Sequence, residues 1–351
     1  MISQLFFPAN VYLGKSAYSF DELRSEENAV ILHGNSAESN GALQRTLAAL
    51  HCKEPVQINV SELHEPSEIL REIENRSLSN FDLLIGIGGG SVIDKAKFVM
   101  ANLRSSGKTL KLATFVTLPG SGAEASKACI LNSSGEKKIY AAKEFLPDIV
   151  SYDEKSMRSL PRETLTIGCI DSLVHSVEST FSVLSNPLSS SLANSAIDIF
   201  LEIFESLEEQ NPSTVFKKKV IDNVCVLSFL GGLAQSEAGS GITHALAHTL
   251  EPDTSASHSE LIATCFYPIL QIYLDAISPP SFKERLIRID KALAKLEGRE
   301  HFHSLRAELH SLTTSDVGLY DRIKQDPCWR LSRARISEEN LRYLLAHRRP
   351  S

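Results

Sequence analysis

The chain has 351 residues, a length that suits two domains better than one core. Apolar residues make up 42% of it and charged residues 23%, which is the ordinary composition of a globular protein in water. The formal net charge of −7 is spread without long blocks, so no nucleic-acid partner is expected. No apolar run approaches the ~20 residues that a membrane span needs.

The cysteine spacing bears on the cellular compartment. Six cysteines lie far apart with no CxxC pair, which predicts free thiols rather than a disulfide framework. The residues before Lys15 contain no Lys or Arg, and they include no apolar core or cleavage site of a signal peptide. We therefore expect a cytoplasmic protein.

Strand-like and helix-like segments alternate in the first part of the chain. The predicted strands are residues 6–13, 29–32, 56–60, 81–87 and 112–118, and the predicted helices are residues 41–50, 67–73 (capped by Ser67) and 91–103. Strands that alternate with helices predict a parallel sheet with helices on its faces. Residues 1–157 are therefore expected to form an α/β, Rossmann-like domain.

Helical spacing of apolar residues dominates the rest of the chain. The predicted helices are residues 167–183, 189–207, 215–235, 242–250 and 261–277. Residues 279–322 also have a helical pattern but carry no chemical signal. Residues 158–351 are therefore expected to form an all-α domain.

A glycine run links the fourth predicted strand to its helix. Gly88, Gly89 and Gly90 allow a sharp turn and a close approach to a ligand, and the N–H groups at the start of the helix suit a pyrophosphate. The alternative is a tight turn with no ligand, because the pattern is neither a Walker A loop nor a strict GxGxxG. A second turn, residues 117–122, could cover the same dinucleotide from the neighbouring strand end.

Acidic and histidine side chains recur at helical spacing in the second half. Asp171 and His175 are four residues apart, and so are His244 and His248, so each pair shares one face of a helix. His258 follows in a Ser-rich loop. One such pair alone is more typical of a polar contact in a helical core, but two pairs in one domain favour a divalent metal such as iron or zinc.

Together these motifs resemble the iron-containing alcohol dehydrogenase superfamily. The glycine segment 88–97, the turn 117–124, the segment 171–175 and the segment 238–248 with His258 are each similar to a signature of that family. The resemblance runs from the first strand to Cys328. It implies the fold shared by dehydroquinate synthases and iron-containing alcohol dehydrogenases, and a homodimer.

The resemblance also implies roles for individual residues. The metal ligands would be Asp171, His175, His244 and His258, and His248 would be a nearby non-ligand in the proton path. The cofactor would be bound by Gly89, Gly90, Ser91, Asp94, Thr117, Leu118, Ser121 and Lys137, with Lys138 as the alternative to Lys137 near the ribose.

One departure from the family pattern surrounds the last ligand. The family usually reads Pro-His-Gly there, whereas this chain has Ser257, His258 and Ser259. Glu237 also stands where a small or amide residue is common. These differences concern the substrate pocket more than the metal.

The turn after the second strand predicts the choice of cofactor. Relatives that prefer NAD commonly have an Asp there, which repels a 2′-phosphate, whereas this chain has Gly34, Asn35 and Ser36. Gly34 leaves room and the two polar side chains can donate hydrogen bonds, so NADPH is expected to be preferred to NADH. The alternative is an ordinary turn that accepts either cofactor.

The resemblance implies hydride transfer between a nicotinamide and a small aldehyde or primary alcohol. Residues 177–189 resemble the phosphonoacetaldehyde reductases of the same superfamily, which makes phosphonoacetaldehyde a candidate substrate; packing of a helix end is the alternative explanation of that segment. Two other functions stay open. One is a 3-dehydroquinate synthase-like lyase that uses a metal and NAD, and the other is a non-catalytic binding protein on the same fold.

Overall fold

The computed structural model describes residues 6–8, 10–13, 18, 21, 23, 28–52, 54–63, 65–76, 81–133, 136–208, 216–276, 278–295, 300–315 and 318–346. The chain divides into two compact units. The first comprises Met1–Leu165 and Ser213–Cys225, and the second comprises Thr166–Pro212 and Val226–Ser351.

The first unit is built on a parallel sheet. Its strands are β1 (Asn10–Tyr12), β2 (Ala29–His33), β3 (Val56–Asn59), β4 (Leu83–Gly88), β5 (Lys111–Val116) and β8 (Ile149–Tyr152). They lie in the order β1-β8-β5-β4-β2-β3, and every neighbouring pair is parallel. An antiparallel hairpin of β6 (Ala128–Ser133) and β7 (Glu136–Ala141) forms a separate small sheet.

Helices precede or follow these strands along the chain. They are α1 (Asn35–Ser39), α2 (Ala42–Ala49), α3 (Pro66–Asn75), α4 (Gly90–Ser105) and α5 (Glu154–Arg158). The sequence pattern missed α1 and the hairpin. It also predicted the wrong cap for α3, because Glu65 rather than Ser67 is the N-cap and forms a capping box with Glu68.

The central strands are buried on both faces, as parallel strands covered by helices must be. Every residue of β2 and β4 is buried, including His33. Alternate residues of each strand enter different apolar clusters, so Ile31 and Ile85 pack in one cluster while Leu32 and Leu84 pack in the other. This packing fixes the positions of the strand ends. It therefore also fixes the positions of the turns that follow the strands.

Helices make up the second unit. They are α6 (Arg162–Thr180), α7 (Pro187–Glu208), α8 (Lys218–Ala238), α9 (Ile242–Leu250), α10 (His258–Asp275), α11 (Pro280–Ala294), α12 (Glu300–Ser315), α13 (Leu319–Gln325), α14 (Pro327–Leu331) and α15 (Glu338–Ala346). The first residues of α6 and α8 belong to the first unit. None of the described helices has the length and apolar character that crossing a bilayer requires.

The predicted fold class, an α/β Rossmann-like part followed by an all-α part, is confirmed. One local detail differs at the site. His258 is the first residue of α10 and does not lie in a loop, because Ser257 and Glu260 form a capping box that starts the helix three residues earlier than the predicted start at residue 261.

Candidate metal centre and cofactor turns

Three helices of the second unit bring the predicted metal ligands together. Asp171 and His175 lie one turn apart on α6, His244 lies on α9, and His258 opens α10. The side chains of Asp171, His175 and His244 are at most 3% exposed, whereas His258 is 25% exposed. The cluster is therefore a buried pocket with one more accessible imidazole.

The ligand atoms are close enough to share one ion. One nitrogen from each of His244 and His258 and one oxygen of Asp171 lie within 4.8 Å of one another. The imidazole Nε2 atoms of His175 and His244 lie 3.5 and 3.9 Å from Oδ1 of Asp171. The rings of His175 and His244 stack with centroids 4.7 Å apart. The geometry therefore groups three of the predicted ligands most tightly, with His175 beside them.

The donor set fits a divalent cation such as iron or zinc, which accepts imidazole nitrogens and a carboxylate oxygen. Nε2 of His244 is buried and accepts or donates no hydrogen bond among the described residues. Burial, followed by the charge of neighbouring His244, lowers the pKa of His175 well below its ordinary value. His175 is therefore favoured as the neutral imidazole that binds a metal. Burial opposes the charge of His244, but Glu178 raises its pKa overall, so a metal there competes with a proton.

Glu178 fixes the orientation of the His244 ring. Nδ1 of His244 lies 2.7 Å from Oε2 of Glu178. The same carboxylate accepts hydrogen bonds from the backbone N–H groups of Gly241 and Thr243, each at 2.6 Å, and from the hydroxyl of Tyr273 at 2.9 Å. Burial opposes the charge, but His244 and these donors outweigh it and lower the pKa of Glu178. With Nδ1 engaged, Nε2 is the nitrogen left for a metal.

A second carboxylate holds His248, the predicted proton carrier. Nδ1 of His248 lies 3.0 Å from Oδ2 of Asp326, whose Oδ1 accepts the backbone N–H of Cys328 at 2.7 Å and caps α14. Burial would raise the pKa of Asp326, but the hydrogen bond with His248 lowers it overall. His248, Asp326 and Cys328 also have ligand atoms within 4.8 Å of one another. Burial raises the pKa of the Cys328 thiol well above its ordinary value, so a thiolate ligand is disfavoured there.

Two further side chains contact the ligands. The hydroxyl of Ser259 donates a hydrogen bond of 2.7 Å to Oδ2 of Asp171. Nδ1 of His258 lies 3.2 Å from Oε2 of Glu251. Sequence reasoning noted Ser259 only as a departure from the family pattern, and it missed Glu251, Glu178 and Asp326. Only Glu178 had a local signal, because it lies three residues after His175 on the same helix face.

In the first unit, the two predicted cofactor turns lie side by side. The backbone N–H of Thr117 donates to the carbonyl of Gly88 at 3.0 Å. A Cβ atom on Gly90 would lie 2.4 Å from Oγ of Ser121, so only glycine fits there. Gly120 and Gly122 adopt φ of 142° and 63°, which L side chains rarely adopt. Leu118 is 39% exposed beside this pair of turns.

Asp94 is engaged by the protein itself. Its Oδ1 accepts a hydrogen bond of 3.0 Å from the fully buried Lys97, and its Oδ2 accepts the backbone N–H of Ile130 at 3.1 Å. Burial raises the pKa of Asp94, and the charges of Lys97 and, more weakly, Lys137 oppose that rise. Asp94 therefore links the glycine helix to the hairpin, and Lys137 on β7 lies in its electrostatic range.

The turn after β2 is the third predicted cofactor element. Gly34 is the N-cap of α1, the backbone N–H of Asn35 donates to Oγ of Ser61 at 2.9 Å, and Ser36 is exposed. Nδ2 of Asn59 donates to Oδ1 of Asn35 at 2.7 Å. Glu38 adds a half-exposed carboxylate, with Oε1 at 3.4 Å from Nδ2 of Asn59. The sequence pattern did not single out this carboxylate.

Solved structures resemble this chain over nearly its full length. A crystal structure of an iron-containing alcohol dehydrogenase aligns with 98% of both chains at a TM-score of 0.77 and 20% identity. A 1,3-propanediol oxidoreductase aligns with 98% of this chain and 99% of that one at a TM-score of 0.81 and 16% identity. At these identities the likeness establishes the fold.

Curated relatives match more locally. The chain is 28% identical over 216 residues to the 1-propanol dehydrogenase PduQ of Citrobacter freundii, across 60% of this chain and 56% of that protein. It is 32% identical over 196 residues to long-chain-alcohol dehydrogenase 1 of Geobacillus thermodenitrificans, across 51% and 49%. The matches thus span about half the length of these relatives.

Family-level matches cover most of the chain. Residues 8–154 match the family "Iron-containing alcohol dehydrogenase", and residues 166–325 match "Fe-containing alcohol dehydrogenase family, C-terminal". The first match covers the sheet-containing part and the second covers the helical part. This chain therefore belongs to the iron-containing alcohol dehydrogenase superfamily.

Proposed function

We propose that this protein is a metal-dependent, NAD(P)H-linked alcohol dehydrogenase that reduces a small aldehyde. The observation that carries the proposal is the buried set of one carboxylate and adjacent imidazoles, with Nε2 of His244 left without a hydrogen-bond partner among the described residues. The ligands would be Asp171, His175, His244 and His258. When bound, the metal supplies Lewis acidity toward a carbonyl oxygen and the nicotinamide supplies hydride.

The chain's own residues then prepare the site and move the proton. Glu178 orients His244, and Asp326 holds His248 in one tautomer by accepting its Nδ1–H. Nε2 of His248 is buried and has no hydrogen-bond partner among the described residues, so it is the nitrogen able to exchange a proton with the oxygen of the product alcohol. This role makes His248 the catalytic residue of the proposal.

We propose that NADPH is preferred to NADH. The pyrophosphate and the nicotinamide end of the cofactor would be surrounded by Gly89, Gly90, Ser91, Thr117, Leu118 and Ser121. Asp94 and Lys137 would lie next to these residues. At the turn after β2, Gly34 offers backbone without a side chain, and Asn35 and Ser36 offer polar groups. The carboxylate of Glu38 on the same turn would repel a 2′-phosphate and limit the preference.

Replacing Gly34 by Asp tests the cofactor preference. The backbone of Gly34 has φ of −97°, and an added Cβ would lie 3.2 Å from Cγ2 of Val92 and 3.7 Å from Oγ of Ser61, so the substitution needs only a small shift. Repulsion of the 2′-phosphate should move selectivity toward NADH by about 1–3 kcal/mol. The comparison is kcat/KM for NADPH and NADH in both proteins. Wild-type preference for NADH would contradict the proposal.

We propose a small aldehyde as substrate, with phosphonoacetaldehyde as the anionic candidate. Support for the general class comes from the curated relatives, which include a 1-propanol dehydrogenase. Support for the candidate is only the resemblance of residues 177–189. A panel of aldehydes assayed by loss of NADPH absorbance decides between them. Turnover of phosphonoacetaldehyde no better than that of butyraldehyde would remove the candidate and keep the class.

The same panel separates the dehydrogenase from both rival functions, and metal analysis with a cofactor titration separates the two rivals from each other. A 3-dehydroquinate synthase-like lyase would bind metal and NAD without net oxidation of NADPH by any aldehyde. A non-catalytic binding protein would show neither oxidation nor lyase activity. The family match and the intact set of carboxylate and imidazoles favour the dehydrogenase over both.

We further propose a cytoplasmic homodimer. The six cysteines are free thiols, as a reducing compartment would keep them. Strand β1 ends the six-stranded sheet, and Phe7 and Val11 beside and within it are 46% and 37% exposed, which suits pairing with a second copy. The mass measured by light scattering tests the dimer, and a monomer at micromolar concentration would contradict it.

A further inference from the structure

A serine on α10 reaches across to a metal ligand on α6. Ser259 is the second residue of α10, and its hydroxyl donates a hydrogen bond of 2.7 Å to Oδ2 of Asp171. The two residues lie 88 positions apart in the chain, so the contact exists only in the folded unit. Asp171 is completely buried, and burial strengthens any hydrogen bond that its carboxylate accepts.

We propose that Ser259 is a positioning residue that makes Asp171 a one-oxygen ligand. The inference rests on the proposed metal site. The hydroxyl engages Oδ2, while the other oxygen, Oδ1, is the one that lies 3.5 Å from Nε2 of His175 and 3.9 Å from Nε2 of His244. The hydrogen bond therefore turns the carboxylate so that a single oxygen faces the imidazoles.

The chemistry of the bond supports this role. A carboxylate that accepts a hydrogen bond on one oxygen keeps a fixed rotation about its Cβ–Cγ bond, and it is a weaker two-oxygen ligand because one lone pair is occupied. Glu178 gives His244 the same kind of support through Nδ1. Ser259 and Glu178 thus each hold a proposed ligand in one orientation, through an atom of that ligand that does not face the metal.

The neighbouring Ser257 supplies a matched control. Its hydroxyl lies 2.6 Å from Oε2 of Glu260 and belongs to the capping box of α10, so it stabilises the helix start without touching a ligand. Loss of Ser257 should lower the thermal stability of the helix start. Only loss of Ser259 should alter the metal site.

The experiment compares wild type with S259A, S259T, S257A and H244A. Each metal-free protein is titrated with Zn²⁺ against a chromophoric chelator, and with Co²⁺ to record its visible d–d absorption; circular dichroism checks the fold. We expect S259A to weaken Zn²⁺ binding about 10- to 100-fold. Its Co²⁺ bands should lose intensity, because a second carboxylate oxygen raises the coordination number. S259T keeps the hydroxyl and should bind as wild type does, and S257A should melt earlier with unchanged affinity.

The outcomes separate this inference from the proposed function. Equal Zn²⁺ affinity and equal Co²⁺ bands in wild type and S259A would overturn the positioning role and leave the metal site standing. Equal weakening in S257A and S259A would also overturn it, because helix stability alone would then explain the effect. The proposed site itself would be overturned if the wild type takes up no metal, or if H244A takes up metal as well as the wild type does.

Discussion

At the scale of single residues, the candidate site depends on two carboxylates that lie outside the predicted ligand set. Glu178 and Asp326 each accept the Nδ1–H of a histidine and at least one backbone N–H. Each fixes which imidazole nitrogen faces inward, so each controls chemistry that happens at another residue. Replacing each carboxylate by its amide keeps the shape and removes this control.

Glu178→Gln should weaken metal binding. Four donors point at the two oxygens of Glu178, and the amide would present an NH₂ group to two of them. We expect about 10- to 100-fold weaker metal affinity and a loss of about 1–3 kcal/mol in the free energy of unfolding. Chelator competition measures the metal affinity, and urea denaturation measures the free energy of unfolding. Glu202→Gln, on the exposed face of α7, is the control and should change neither. Unchanged metal affinity in the Glu178 variant would refute the role.

Asp326→Asn should slow turnover without removing the metal. Asparagine is also a good N-cap, so α14 keeps its cap. Its NH₂ group can face His248, however, and would favour the tautomer with Nδ1 unprotonated. Loss of an efficient proton path should lower kcat about 10- to 100-fold. Metal content and kcat are measured together, with the exposed Asp321→Asn as control. A normal kcat at full metal content would exclude this proton path.

At the scale of elements, a close contact between α6 and α8 lies beside one of the predicted metal ligands. Gly231 of α8 faces the backbone of α6, where a Cβ atom would lie 2.7 Å from the carbonyl oxygen of Ser172. Ser172 directly follows the ligand Asp171. The spacing between these two helices therefore sets the position of the carboxylate.

Gly231→Ala should push the two helices apart. Backbone cannot yield as a flexible side chain can, so we expect a loss of about 1–3 kcal/mol in the free energy of unfolding. Metal affinity should fall with it, because Asp171 moves relative to His244. Lys219→Ala, at an exposed position of the same helix, controls for helix propensity. A Gly231 variant as stable as the Lys219 variant would show that α6 and α8 tolerate the larger spacing.

Sequence reasoning succeeded for features that are local. The strand, glycine run and helix around Gly88 lie within one short segment, and the spacing of Asp171 and His175 lies within one helix. It failed where partners are distant. Ser259 lies 88 residues from Asp171, and Asp326 lies 78 residues from His248, so no spacing rule connects them. It also missed the helix after Gly34, because Gly, Asn and Ser are typical of turns as well as of helix starts.

At the scale of the whole molecule, the chain combines a sheet-based unit, whose glycine turns suit a dinucleotide, with a helical unit that brings the predicted metal ligands together. Both parts match their family over nearly their full length. The helical unit holds three histidines and a carboxylate in a largely buried pocket. The proposed dehydrogenase activity should therefore depend on one metal ion bound by that pocket.

The most direct test is metal add-back to the metal-free enzyme. The protein is stripped with a chelator, and aldehyde-dependent oxidation of NADPH is followed while Fe²⁺ (without oxygen) or Zn²⁺ is added, for wild type and His244→Ala in parallel. The proposed metal site predicts no activity in the stripped protein, recovery that saturates at one metal per chain, and no recovery in the His244→Ala variant despite a native circular dichroism spectrum. Full activity in the stripped protein, or recovery in the variant equal to wild type, would contradict it.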